Sequence, residues 1–168
     1  MTKFQAKSFK NLGFTEKDCY KGKIALAKYE SIDYNFVSHW DEMISDGKTI
    51  WEDSFVLVHD FNQYGHGKLS GHKGNPSGGE CVAVDYHWVG VSIYDQFMLA
   101  MKWNFDGIFV YPHSKPNFMH VDRKDWSRPS GIITFGYRDA ERNMITSNND
   151  FIKTAQMINF LCELMGED

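Results

Sequence analysis

The chain has 168 residues, 42% of them hydrophobic and 15% aromatic, which suits one domain (1–168) with a sizeable core and excludes intrinsic disorder. A formal net charge of −4 excludes a chain-wide positive field, so no nucleic-acid partner is expected. Residues 1–10 are polar and lysine-bearing, without the apolar core of a signal peptide, and no run reaches the length of a membrane span. The sequence therefore predicts synthesis in the cytoplasm with no visible export signal and no membrane partner. No pattern in it bears on oligomeric state.

Residues 1–30 are mixed and yield no assignment. From Asp33 to Ile44, Phe36, Trp40, Met43 and Ile44 recur at helical spacing, and Asp46-Gly47 offers a stop. Ser54–His59 (SFVLVH) predicts a strand, and residues 62–79, rich in Gly, Ser, Asn and His, predict a loop. Glu80–His87 (ECVAVDYH) predicts a second strand. Ser92–Trp103 predicts a helix with Tyr94, Phe97, Met98 and Met101 on its core stripe. Gly107–Tyr111 and Phe118–Arg123 predict strands joined by a turn around Pro112–Pro116, and Gly131–Tyr137 another strand. Asn149–Met165 predicts a closing amphipathic helix with Ile158, Leu161, Cys162 and Met165 on one stripe. Strands clustered mid-chain with helices before, between and after them predict a single α+β domain.

Cys19, Cys81 and Cys162 are odd in number, widely spaced and without a CxxC pair. That pattern argues against a disulfide framework and a thiolate metal site, and predicts small buried thiols.

Four of the seven histidines lie between His59 and His87, beside Asp60 and Asp85. Imidazole nitrogen and carboxylate oxygen bind zinc at about 2.0–2.2 Å, and a hydrolytic zinc needs three protein ligands and an open position for water. His120 and Asp122 stand two apart on a predicted strand, so their side chains leave one face while Val121 packs on the other. One of the pair can hold a metal while the other addresses the metal-bound water. Asp85 ends a VAVD run, where an aspartate usually caps a turn or binds a ligand. His72 sits in SGHKG, a glycine-rich stretch that permits close approach to a strand. His87 shares a face with Asp85 and is a candidate supporting or substrate-contacting residue. His39, beside Trp40 on a helix, reads as structural.

Ser70-Gly71-His72, Ala83-Val84-Asp85, Tyr111-Pro112 and Phe118-Met119-His120-Val121-Asp122 together resemble the M15 zinc peptidases. That group comprises D-Ala-D-Ala carboxypeptidases and peptidoglycan endopeptidases, phage endolysins among them. The likeness is strongest over residues 55–126. It implies zinc held by His72, Asp85 and His120, a peptidoglycan peptide as substrate, and an α+β fold with an antiparallel sheet and flanking helices, shared with the Hedgehog signalling domain. An endolysin-like role on the cell wall, from a phage or prophage, follows from it. So does an alternative, a non-catalytic metal-binding or wall-binding module of the same fold, such as a phage structural protein.

Two departures from the family pattern stand out. The family spaces its first His and Asp as SxHxxGxAxD, whereas His72 and Asp85 are 13 apart here, which reads as an insertion of residues 75–80 with Cys81 at the glycine position; His66 is the substitute ligand. Asn117 stands three before His120, where many members carry an acid, and an amide cannot serve as a general base. Asp122 is the replacement base and His113 the second choice, which could instead stabilise the oxyanion. For a substrate carboxylate the candidates are Arg123, Arg128 and Arg138. Strand alternation points Arg123 away from Asp122. Tyr111 and Ser70 complete the expected substrate-contacting set, and Trp126 reads as core.

Overall fold

A computed structural model describes residues 3–4, 32–60, 71–73, 81–123 and 134–146, together with 155, 156, 158, 159 and 162. Strand β1 (Lys3–Phe4) pairs antiparallel with β2 (Ile32–Asp33), which leads into helix α1 (Tyr34–Ile50). Asp33 starts the helix: its carboxylate accepts the Phe36 N–H at 2.8 Å, satisfying a donor the first turn leaves open. Phe36, Val37, Trp40, Met43, Ile44 and Gly47 form its buried face.

The expected stop at Asp46-Gly47 does not occur; α1 continues to Ile50. Gly47 is there for packing. A Cβ on it would stand 2.6 Å from the Trp88 ring and 2.9 Å from Leu99, so only glycine lets the helix lie this close.

Six strands follow: β3 (Phe55–Asp60), β4 (Ala83–Val89), β5 (Gly107–Tyr111), β6 (Phe118–Asp122), β7 (Thr134–Arg138) and β8 (Met144–Thr146). They form one sheet in the order β3-β4-β6-β5-β7-β8. The expected antiparallel sheet is corrected to a mixed one, because β7 runs parallel to β5. After β6 the chain returns on the far side of β5 and enters in β5's own direction. The short β8 has no counterpart in the sequence reading.

Helix α2 (Ile93–Lys102) is capped by Ser92, whose hydroxyl accepts the Asp95 N–H at 3.1 Å. Its buried face is Ile93, Gln96, Phe97, Leu99 and Ala100, while Met98 is 45% exposed, so the expected Tyr94–Phe97–Met98–Met101 stripe is rotated. The cause is a polar residue invisible to hydrophobic periodicity. The buried Gln96 amide accepts the Trp88 N–H at 3.0 Å and donates to Val91 O at 2.9 Å, closing the end of β4.

Side chains alternate across the sheet. Val84, Tyr86 and Trp88 of β4, Ile108 and Val110 of β5, and Met119 and Val121 of β6 join the α1 and α2 faces in one apolar core. The described part of the molecule is thus α+β, with the opposite sheet face left for polar chemistry. Cys81 is buried as expected; Cys162 is exposed, contrary to expectation, and Cys19 lies outside the described residues. In the predicted C-terminal helix, residues 155, 156, 158, 159 and 162 are helical and the rest lies outside the described residues. Among the described residues no helix is long and apolar enough to cross a membrane.

Candidate metal centre

The face away from the helices is ordered in rows by strand register. Ala83, Asp122, Gly107 and Thr134 make one row across β4, β6, β5 and β7. Asp85, His120, Phe109 and Gly136 make the next. Beyond it, Tyr111 stands opposite Phe118, with His87 and Arg138 two residues past Asp85 and Gly136 on their strands. Period-two alternation places every second residue of DYH, HVD and FVY on this one face.

His72 is delivered from outside the sheet by a 3₁₀ turn, Gly71–Lys73. The Val82 N–H donates to Gly71 O at 2.9 Å and ties the turn to the start of β4. A Cβ on Gly71 would lie 3.0 Å from the Ala83 Cβ and 3.4 Å from the Asp122 Cβ. Glycine at 71 and alanine at 83 therefore set how closely His72 approaches the strands. The 13-residue spacing to Asp85 does not keep His72 from the site.

Three ligand atoms meet there. His72 Nε2 lies 3.1 Å from His120 Nδ1 and 3.3 Å from Asp85 Oδ1, and Asp85 Oδ1 lies 2.7 Å from His120 Nδ1. Tetrahedral zinc with bonds of about 2.0–2.2 Å separates its ligand atoms by about 3.4 Å. Two of the three separations fall within about 0.3 Å of that value, and the third closes to a hydrogen bond that a bound ion would part. The donor set, two imidazoles and one carboxylate, suits a hydrolytic zinc and also non-haem iron. His72, Asp85 and His120 thus form a group able to hold a metal ion, with His72 2% exposed and the other two side chains 12–17% exposed.

Asp122 has a different place from the one expected of a base. His120 Nε2 donates to Asp122 Oδ2 at 3.0 Å, so the buried carboxylate lies on the side of the imidazole away from Nδ1. Its contact is with the ligand's back, which fixes ring orientation and tautomer as supporting carboxylates do for metal-bound histidines. Phe109 braces the same ring edge-on, with centroids 5.4 Å apart. Gly136 leaves room for it: a Cβ there would stand 2.6 Å from the Phe109 ring. Sequence reasoning missed Phe109, although the alternation of GIFVY places it on Tyr111's face.

The charges are strongly coupled. Burial by itself raises the Asp85 carboxyl, but the His72 and His120 imidazoles against it hold it well below the usual carboxylate range. Burial disfavours the His120 imidazolium, yet its hydrogen bonds to Asp122 and Asp85 prevail and push it up to about 9. Without a metal, the site holds its proton on His120.

His87 is buried, with its Nδ1 hydrogen-bonded to His59 Nε2 at 2.6 Å; burial lowers its pKa. His59 stacks on Phe118 with ring centroids 4.9 Å apart. Phe118 stacks on Tyr111 at 4.2 Å, and the Arg138 guanidinium lies 5.1 Å from the Tyr111 ring centre. Burial pushes the Tyr111 hydroxyl well above its usual range, and the Asp85 charge adds to this.

His113 is exposed in the turn after β5 and lines a groove with Tyr111, Ser114, Lys115 and Arg138. Arg123 is exposed just past β6, where its N–H donates to Val82 O. His39 is structural as expected, with Nε2 2.7 Å from Trp103 O and its ring against Phe105. Ser70, His66, Trp126 and Arg128 lie outside the described residues. No family model matches the chain, and comparison with curated proteins and with solved structures returns no match.

Proposed function

We propose that the protein is a zinc-dependent hydrolase of peptide bonds in bacterial peptidoglycan, an M15-type peptidase with a Hedgehog/DD-peptidase-like fold. The observation that carries this reading is the meeting of His72 Nε2, Asp85 Oδ1 and His120 Nδ1 within 3.3 Å of one another, from three segments distant in sequence. The sequence resemblance supplies the substrate class, and the donor set supplies the reaction class.

Zinc held by these three atoms would supply a Lewis acid for the scissile carbonyl and an activated water. The chain's own groups divide the remaining work. Asp122 orients His120 and holds the Nε2 proton, so proton acceptance falls to another residue. His72 reaches the ligand row over Ala83 and Asp122, which leaves the opposite flank, toward His87, Phe118 and Tyr111, for substrate. His113, the second choice of base, then takes that role from the turn after β5, and His87, paired with His59, is a supporting or substrate-contacting residue on that flank. Tyr111 lines the approach.

The test is mass analysis of peptidoglycan fragments incubated with the zinc-loaded chain, with His120→Ala as the control. Newly split peptides that vanish in the variant support the reading; a metal-loaded chain that leaves every fragment intact defeats it. A second reading, a metal-binding wall or phage structural module without catalysis, is favoured by Asn117 in the family's acid position and by the engagement of Asp122 with His120. Stoichiometric zinc and wall-fragment binding without cleavage would select it.

A further inference from the structure

At the end of β3 the ladder slips by one residue. Val58 pairs with Tyr86 and Asp60 with Asp85, so β3 advances two residues where β4 advances one, and His59 is the extra residue of a bulge. Such an insertion re-aims a side chain, and bulges recur beside active sites. Here it sets His59 against the step from Tyr86 to Asp85, beside a residue of the metal group.

The His59 ring is fixed on two sides. Phe118 stacks on it, with centroids 4.9 Å and planes 25° apart, and Phe118 is itself stacked on Tyr111. The buried His87 meets it edge-on at 4.8 Å and 67°. A hydrogen bond of 2.6 Å joins His59 Nε2 to His87 Nδ1. Apolar rings would fill the same place without burying imidazole nitrogen, so packing alone does not account for the pair.

The bond also places the protons. A neutral imidazole carries one N–H and one lone pair, and the bond that one nitrogen makes decides the state of the other. Nε2–H is the favoured form of a free ring, and only donation from His59 Nε2 to His87 Nδ1 lets both rings keep it. His59 Nδ1 then carries a lone pair, on the side of the ring away from His87.

We propose that His59 is a substrate-binding residue of the site: its Nδ1 accepts a backbone N–H of the bound peptide, and His87 is the positioning residue that holds the ring and its tautomer. His59 stands on the flank left for substrate, against Phe118 and beside Asp85. That the ligand is a peptide rests on the hydrolytic reading; the fixed ring and its tautomer do not.

The test titrates the zinc-loaded full chain with acetyl-D-alanyl-D-alanine while long-range proton–nitrogen spectra follow the imidazoles. In the free chain His59 shows a proton on Nε2 and a bare Nδ1, and the peptide moves Nδ1 into the hydrogen-bonded range. His59→Phe keeps a ring on Phe118 but removes both nitrogens, and weakens peptide binding about tenfold. His59→Asn puts an amide oxygen near the Nδ1 position and recovers part of that loss. His87→Phe leaves His59 in place, releases its tautomer and weakens binding by less. In hydrolysis assays the His59 variants raise KM and spare kcat, with zinc stoichiometry unchanged. A proton on His59 Nδ1 in the free chain, or wild-type affinity in His59→Phe, overturns the proposal. A chain that does not bind the peptide at all overturns it together with the hydrolytic reading. If His59-dependent binding persists but no peptide is cleaved, the hydrolytic reading falls and His59 keeps its role. If His59→Phe cleaves peptide at an unchanged KM, the hydrolytic reading stands and the role of His59 falls.

Discussion

His120 is held from both ends: Asp85 Oδ1 lies 2.7 Å from Nδ1, and Asp122 Oδ2 lies 3.0 Å from Nε2. The first carboxylate lies on the ring edge that faces His72; the second stands behind it. Two aspartates that look alike in sequence thus have separate places, one in the group able to hold a metal ion and one behind the His120 ring.

Asp122→Asn keeps the shape and weakens the orientation of His120. Zinc affinity falls about 10- to 100-fold, the range found when such supporting groups are lost. Competition with a chromophoric chelator measures it. Were Asp122 instead a base, turnover would drop at full zinc occupancy with affinity unchanged.

Zinc binding and metal-free stability respond oppositely to pH. Because His120 sits at about 9 without metal, zinc must displace its proton at neutral pH, and apparent affinity climbs from pH 7 to about 9, then flattens. In the metal-free chain the raised pKa works the other way. Its stabilisation is full below the ordinary 6.5 and is lost as pH rises through 9. Asp85, held low, contributes above 3.8, and that contribution is lost on acidification through its lowered folded value. Thermal melts at pH 6, 7.5 and 9, with chelator and with zinc, should give a gap that widens with pH.

Gly71→Ala pushes the His72 turn off Ala83, since the new methyl would meet its Cβ at 3.0 Å. A few tenths of an ångström of movement displaces His72 Nε2 from the other two ligands. Zinc affinity drops by about tenfold while the chelated protein melts within about 1 kcal/mol of the parent, a separation that follows because the turn, though buried, lies outside the sheet and the apolar core. Calorimetric titration of both forms checks it.

Gly136→Ala meets Phe109 at 2.6 Å and the Ile145 carbonyl at 2.8 Å, and Gly47→Ala meets the Trp88 ring at 2.6 Å. Each costs about 1–3 kcal/mol of stability as overpacking. The two differ in kind: Gly136→Ala also disturbs the ring that braces His120 and lowers zinc affinity, whereas Gly47→Ala, on the helix side, leaves affinity unchanged. Denaturant unfolding with parallel zinc titration separates them.

Alternation carried much of the site into view. The side chains of Asp85, His120, Asp122 and Tyr111 share a face because a strand repeats every two residues, which FMHVD and GIFVY make legible. Helical spacing located α1 and α2 but not their ends or faces. Gly47 reads as a stop and acts as a packing contact with Trp88. Gln96 has no place in the expected stripe and is buried on strand-end partners. Both depend on neighbours far along the chain, about which a local pattern holds no information.

The sequence by itself determined the α+β layering and the polar face of the central strands, because hydrophobic period is a local property, while the three residues able to hold a metal ion were singled out by the family resemblance. Only the tertiary structure decided that β7 joins β5 in parallel, that Gly71 brings His72 across the gap to Asp85, and that Asp122 stands behind His120 rather than before it. Those outcomes are set by register and close contact between distant segments, where shifts of a few tenths of an ångström separate a ligand from a bystander.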